Sequence, residues 1–312
     1  MATEFKSFFS TPSGNEGEKC HYPTRLDTYG CGCQHNCSYC YARSLLDFRR
    51  MWNAARPSVA DLEDIKRLIR EKLKAGDIVR LGGMTDCFQP MEREYRVTLQ
   101  TIRALNRAGV GYLIVTKNAL VAENEYLATI RKDLAHIQVT ITSTDEKVSR
   151  MIEPGASLPE ERIRAVERLS AEGFDTAVRL SPYIEQFCDV EKINRIKCDK
   201  IVVEFLRVNG WIKRWLPMVD FSEYKLHQSG YSHLPLWKKR QMLRKVSGFR
   251  ELTVCEDVSE HYAYWQQAVN TNIDDCCNGY EDSKEEIAAG GDRAEQRADR
   301  GVAGQPEAMD VE

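Results

Sequence analysis

GCGCQHNCSYCYAR, residues 30–43, holds four of the chain's eleven cysteines within ten positions. Cys33, Cys37 and Cys40 form a C-x3-C-x2-C loop. Iron–sulfur clusters are held by cysteine thiolates, normally four per cubane. Three thiolates on one short loop leave an iron with no protein ligand, and that vacancy lets a small molecule chelate the cluster. A second reading joins Cys31 to the other three as a four-thiolate zinc knuckle. Zinc sites favour paired C-x2-C units, or C-x2-C with two spaced histidines, and this spacing supplies neither.

Outward from the loop, short β-rich runs alternate with amphipathic helical patterns. The expected strands are Leu26–Cys31, Ile78–Gly82, Gly111–Thr116, Ile137–Thr142, Thr176–Ser181 and Lys200–Val208. Between them lie helical stretches over Asp61–Ala75, Glu94–Ala108, Ala122–Leu134, Pro159–Glu172 and Asp189–Arg195. Pro159 suits a first helical turn and Gly173 a C-terminal stop. Six strands alternating with helices predict an α/β chain whose parallel sheet closes, wholly or partly, into a (β/α)6 TIM-type barrel. A doubly wound open sheet is the alternative. Barrels place their chemistry at the C-terminal ends of the strands. The cysteine loop, Gly82–Gly83 and Lys117 all fall there, which favours the barrel.

The 312 residues, 42% hydrophobic, suffice for one barrel-sized domain or two medium ones. No apolar run is long enough for a transmembrane helix. The N-terminus has no basic segment followed by an apolar core, so no secretory signal is expected. The expectation is a cytoplasmic protein without a membrane partner, in the host cytoplasm if the source is viral. Cytoplasmic thiols stay reduced, so clustered cysteines point to metal or catalysis rather than disulfides. The net charge of −3 neither favours nor excludes nucleic acid. Acids outnumber bases from Glu281 to Glu312, which reads as a disordered acidic tail. The expected organisation is an N-terminal arm (1–24), a core (25–209), a C-terminal extension (210–280) and the tail (281–312).

The loop resembles that of the radical S-adenosylmethionine (SAM) superfamily, and more narrowly its spore photoproduct lyase-like branch. GGMTDCFQPME (82–92), VTKNALV (115–121) and IEPGASLPEERI (152–163) match that branch in order. The resemblance implies a 4Fe–4S cluster on Cys33, Cys37 and Cys40, with SAM on the open iron. It implies one-electron cleavage of SAM to a 5′-deoxyadenosyl radical that removes hydrogen from substrate, and an electron donor such as flavodoxin or ferredoxin. Tyr39 would pack near the adenine, or serve as a core aromatic. Gly82 and Gly83 would accept the SAM amino group, since glycine lets carbonyls approach a ligand closely. Lys117 would contact the SAM carboxylate, and Thr142 with Ser143 would reach the ribose or carboxylate. The branch's hydrogen-donor cysteine is replaced by Met84, leaving Cys87 as the nearest candidate donor.

Cys20, Cys188 and Cys198 read as buried small hydrophobes. Cys255, Cys276 and Cys277 either form an auxiliary cluster, with Cys198 as a fourth member, or are a buried thiol and a local pair. Trp211-Ile-Lys-Arg-Trp215 and Trp237-Lys-Lys-Arg-Gln-Met-Leu-Arg-Lys245 interleave basic and aromatic residues. Basic side chains neutralise phosphates and aromatics stack on bases. With the resemblance, this points to a thymine-derived base in DNA, extruded from the stack. The expected reaction is rearrangement of a modified thymidine, as in phage DNA hypermodification. Repair of a thymine photoproduct and maturation of a peptide or protein are the alternatives.

Overall fold

The computed structural model describes residues 5–10, 20, 22, 24–272 and 275–277. Its main sheet has eight strands: β1 (Phe8–Ser10), β2 (Thr24–Leu26), β3 (Ile78–Leu81), β4 (Gly111–Thr116), β5 (Ala135–Ile141), β6 (Asp175–Tyr183), β7 (Lys200–Phe205) and β8 (Glu251–Cys255). Spatial order follows chain order from β1 to β8. β1 is antiparallel to β2, and every later pair is parallel. A doubly wound sheet reverses its order at a switch point; this one does not. Residues from both ends of the parallel run, Arg25 on β2 and Cys255 on β8, line one cavity, so the sheet curls. Among the described residues its outer strands do not pair with each other, which makes it a partial barrel.

Side-chain alternation along the strands builds two faces. Leu26, Val79, Ile114, Ile137, Val139, Leu180, Val203 and Val254 belong to the main apolar core. Each such aliphatic side chain, fully buried, stabilises the fold by about 1.5–3 kcal/mol. Helices cover that face. Asp61 starts one over Leu62–Lys72 by accepting the Glu63 and Asp64 backbone N–H groups at 2.8 and 3.1 Å. Pro159 opens another over Pro159–Ala171, with Glu161 reaching back to the Leu158 N–H. The opposite face carries Arg25, Arg80, Thr140, Arg179, Ser181 and Glu204 towards the cavity.

Three expectations change. Glu251–Cys255, expected in the C-terminal extension, is a seventh parallel strand, in register with β7 from Glu251 opposite Lys200 to Cys255 opposite Glu204. The long connection from 206 to 250 hides its place in the β/α repeat. The expected first strand Leu26–Cys31 breaks at Asp27. Thr24–Leu26 stays in the sheet, while Tyr29–Gly30 pairs with Ser58–Val59. The expected helix Ala122–Leu134 is a single 3-10 turn at Ala119–Ala122 followed by Asn124–Thr129. The acidic stretch from 281 lies outside the described residues.

The second basic stretch is largely consumed by the fold. Lys239 is buried, donating to Glu256 at 2.7 Å, with His261 Nδ1 3.1 Å away. Trp265 Nε1 donates to the same carboxylate at 3.2 Å. Lys238 pairs with Glu223 at 3.3 Å, and Lys245 pairs with Glu185. Burial opposes ionisation of Glu256, but the His261 hydrogen bond and the Lys239 ammonium outweigh it and hold its carboxyl at about 2. Burial, aided by Lys239, lowers His233 to about 4. Both groups are depressed relative to the unfolded chain, so the unfolded state binds the extra protons on acidification. The His233 contribution is therefore present above pH 6.5 and lost between 6.5 and 4, and that of Glu256 is lost below 4.5; Asp27, whose buried carboxyl is raised to about 6, works the other way and gains stability as the pH falls through 6. Urea midpoints of the parent and of His233→Gln, measured from pH 7 to pH 4, isolate the His233 part: the parent should lose more stability than the variant, and parallel profiles contradict it.

Candidate active site

The cysteine loop follows β2 and is fixed by its neighbours. Asn36 N donates to Cys33 O at 3.0 Å and Cys40 N to Cys37 O at 3.3 Å. Cys40 caps the helix Tyr41–Phe48, its sulfur accepting the Arg43 N–H at 3.4 Å. Gln34 bridges to the segment after β3: its N–H donates to Gln89 Oε1 at 2.8 Å, and its own Oε1 accepts from Met91 N at 2.7 Å. His35 Nδ1 lies 3.3 Å from Asp86 Oδ2, and both residues are enclosed. Asp86 also accepts from the Thr116 hydroxyl at 2.9 Å and the Lys117 N–H at 2.7 Å, tying the loop to the end of β4. Burial raises the Asp86 carboxyl, but His35 and the backbone donors overcome it and leave it below the ordinary value.

The 152–163 segment braces the loop from the other side. Ser38 N donates to Ile152 O at 2.7 Å. A Cβ on Gly155 would stand 2.0 Å from Gln34 O, so only glycine admits this approach. Gly155→Ala should push the loop aside and lower the iron bound per chain after reconstitution. Unchanged iron content would contradict this packing argument. Glu153 and Arg162 form an ion pair whose side chains are both 0% exposed. Tyr39 donates its hydroxyl to Glu153, and Arg162 Nη1 donates to Thr140 O at 2.9 Å.

The loop after β3 is organised by Asp27. Its carboxylate accepts from Gly83 N at 2.8 Å and Met84 N at 2.9 Å. Burial pushes the carboxyl up to about 6 in spite of those donors. Gly82 has φ +90°, where a Cβ would meet Thr85 O at 3.0 Å, so glycine is required there. Gly83 O accepts from the Tyr41 hydroxyl at 2.5 Å.

One cavity on the concave face gathers Cys37, Cys40, Tyr39, Lys117, Tyr41 and Thr140 with Arg25, Arg80, Arg179, Glu204 and Arg207. Lys117 Nζ lies 5.5 Å from the Tyr39 ring. Arg207 stacks 4.5 Å over Tyr41. Arg179 donates to Glu204 and to Gln138 Oε1, each at 2.7 Å. Burial opposes ionisation of Glu204, but Arg179 and Arg207 hold its carboxyl at about 2. The Thr140 hydroxyl is buried on the cavity wall and has no hydrogen-bond partner.

The donor set fits a cationic iron–sulfur cluster. Cys33, Cys37 and Cys40 carry free thiols. Burial pushes the Cys37 thiol up to about 12, against the pull of Lys117, and raises Cys33 well above its usual value. Thiolates on such a loop call for a metal charge to hold them. The Thr140 hydroxyl, without a hydrogen-bond partner, and Lys117 line the same cavity.

Of the expected site residues, the structure brings Cys37, Cys40, Tyr39 and Lys117 to the cavity. Cys33 is buried at the base of the loop. Thr142 and Ser143 are turned to local work. The Thr142 hydroxyl donates to Ser181 O at 2.8 Å, and that of Ser143 to Phe187 O at 2.9 Å. Thr140, two residues earlier on the inward-facing register, stands on the cavity wall instead. Cys87 is buried away from the cavity, with its thiol 3.6 Å from Leu26 O. Arg80, Arg179 and Glu204 had a legible signal: single charges inside otherwise apolar strand runs, IVRL, AVRL and IVVEF.

The family model "Radical SAM superfamily" matches residues 28–193. An uncharacterized protein of Methanocaldococcus jannaschii is 29% identical over 166 residues, covering 52% of this chain and 61% of its own. An uncharacterized protein of Acidianus two-tailed virus is 26% identical over 166 residues, covering 49% of this chain and 54% of its own. The chain thus spans about half to three-fifths of these relatives' lengths. Among solved structures, spore photoproduct lyase complexed with dinucleoside spore photoproduct superposes with a TM-score of 0.57 at 17% identity, covering 79% of each chain. That likeness is one of fold. With curled parallel sheet, three-cysteine loop and family match together, the class is that of a radical SAM enzyme. The chain belongs to the radical SAM superfamily.

Proposed function

We propose that this radical SAM enzyme acts on a thymine-derived base in DNA and rearranges a modified thymidine. The observation that carries the substrate class is where the first basic–aromatic stretch sits. Gly210–Trp215 is a helix packed on the helix that leaves the cysteine loop. Asn209 Nδ2 donates to Ser44 Oγ at 3.0 Å across that contact. Arg43 stacks 4.1 Å over Trp215, and Trp211 lies 5.8 Å from Trp215. Two half-buried indoles and the cations Arg43 and Arg214 therefore flank the element that carries Tyr41 into the cavity. Bases stack on such rings while phosphates pair with the cations. The fold neighbour was solved with a dinucleoside spore photoproduct bound.

When bound, the reduced cluster and SAM supply a 5′-deoxyadenosyl radical, the chemistry of the cofactor rather than of the protein. The chain's own residues hold and shield it. Lys117 and Thr140 offer polar contacts and Tyr39 closes one wall, while Arg207 is held by Asp257 at 2.9 Å. Rearrangement is favoured over photoproduct cleavage because Met84 stands at the donor position and Cys87 lies outside the cavity. A rearrangement needs no protein thiol to return hydrogen. A one-electron donor protein of the flavodoxin or ferredoxin kind completes the system.

Mass spectrometry of nucleosides from DNA treated with the reduced enzyme and SAM tests this reading. With DNA that carries the modified thymidine, a new isomer of that nucleoside, absent with Cys37→Ala, is expected. An unchanged nucleoside profile, or conversion of spore photoproduct to two thymines, would overturn the rearrangement. Trp215→Ala should weaken oligonucleotide binding roughly 5- to 150-fold, since each base–aromatic stack is worth about 1–3 kcal/mol. Equal affinity would remove the indole pair from the substrate path.

A further inference from the structure

Cysteines far apart in sequence converge inside the curled sheet. Cys276 and Cys277 form a second buried cluster with Tyr22 and Leu113, against which Cys20 and Cys255 pack. Hydrogen bonding to Cys255 and then Cys277 raises the Cys276 thiol well above its usual value. One ligand atom from each of Asp275, Cys276 and Cys277 lies within 4.8 Å of the others, and all three residues are buried. The short segment that presents them is pinned. Thr253 donates its hydroxyl to Cys276 O at 2.6 Å, and Gln138 Nε2 donates to Cys277 O at 3.3 Å. Cys277 N donates to Asp275 Oδ1 at 2.8 Å, and the Tyr22 hydroxyl to Asp275 Oδ2 at 2.7 Å. Cys198, the fourth member expected from sequence, lies elsewhere, its thiol at 3.3 Å from Thr176 O near the start of β7. None of these thiols is in a disulfide.

We infer that Cys255, Cys276 and Cys277, with the Asp275 carboxylate, bind a single zinc ion that is separate from the iron–sulfur cluster. Zinc–sulfur bonds of about 2.3 Å in a tetrahedron place neighbouring donors about 3.8 Å apart, inside the 4.8 Å span of Asp275, Cys276 and Cys277; Cys255 packs against that group from β8 and would close on the ion as the fourth donor. A four-iron cube spreads its thiolates further, over separate irons, and two adjacent cysteines suit one ion better than one cube. Small-hydrophobe packing explains a lone buried cysteine. It does not explain three thiols gathered beside a buried carboxylate on the polar face of the sheet, with Arg80 and Arg179 in electrostatic range of Cys277. Soft thiolates select zinc from the common divalent ions. The ion would tie residues 275–277 to β8 and form part of the wall of the cavity that Cys37 and Cys40 also line. The inference does not depend on the substrate.

The test is metal analysis of the full-length holoenzyme, purified without air and dialysed against a weak chelator. About one zinc per chain beside about four irons is expected. The double variant Cys276→Ser/Cys277→Ser should lose the zinc and keep the iron. On the unaltered protein, Cys255, Cys276 and Cys277 should resist alkylation until a strong zinc chelator is added, and then react. That measurement decides the matter even if the variant does not fold. Zinc absent with the three thiols alkylated in the native protein would overturn the inference. So would about eight irons per chain, which would make the second centre another cluster.

Discussion

Arg162→Met is expected to destabilise the protein by about 3–5 kcal/mol, the cost of leaving a buried charge without its partner. Arg162 and Glu153 are both fully enclosed, and Arg162 also donates to Thr140 O and Ser149 Oγ. Removing the guanidinium strands a carboxylate that burial already disfavours, and which Arg162 and then Lys117 hold ionised. Tyr39 and Ser149 still donate to it, but they supply no charge. Urea unfolding reads the loss. Adding Glu153→Gln should recover part of it, because the stranded charge is then gone. A single variant as stable as the parent would show that the pair contributes nothing. The effect should reach the cluster loop as well. Glu153 anchors Tyr39, and Tyr39 lies between Cys37 and Cys40.

Cys37→Ala should have the largest effect on activity. It leaves two thiolates on the loop, too few to retain a cube with one open iron. Reconstituted variant protein should show little iron–sulfur absorption and no 5′-deoxyadenosine above background. The fold should survive, since one sulfur removed from a partly collapsible site costs about 1 kcal/mol. A variant that keeps both cluster and SAM cleavage would remove Cys37 from the ligand set. Cys87→Ala offers the contrast. Cys87 lies in the core beside Leu26 O, away from the cavity, so its loss should alter stability and leave SAM cleavage in place.

Much of this site could be read from residue order. The cysteine spacing, the glycine pair after β3 and Lys117 after β4 each fall at a strand end, and a barrel brings strand ends together. Thr142 was not separable from Thr140 by pattern, because a strand's period of two keeps both on the same side of the sheet. Only the structure shows that the Ser181 carbonyl claims the Thr142 hydroxyl. Lys239 misled for a related reason. A basic run on a helix looks solvated until its partner is known, and Glu256, seventeen residues on, takes the charge inside. Glu153, Arg162 and Gly155 lie within the 152–163 segment, but their work is long-range. A carboxylate under Tyr39 and a glycine against Gln34 are contacts between segments more than 100 residues apart. The zinc-site cysteines lie at 255, 276 and 277, and no local spacing reports that β8 joins the sheet and brings them to one point.

The central claim is that three thiolates on the 33–40 loop hold a cluster able to cleave SAM. The direct measurement is quantification of 5′-deoxyadenosine and methionine after anaerobic reconstitution and one-electron reduction in the presence of SAM. Equimolar formation of both by the parent protein, and neither by Cys37→Ala, is the predicted result. A reconstituted protein that binds about four irons, accepts an electron and leaves SAM intact would contradict it.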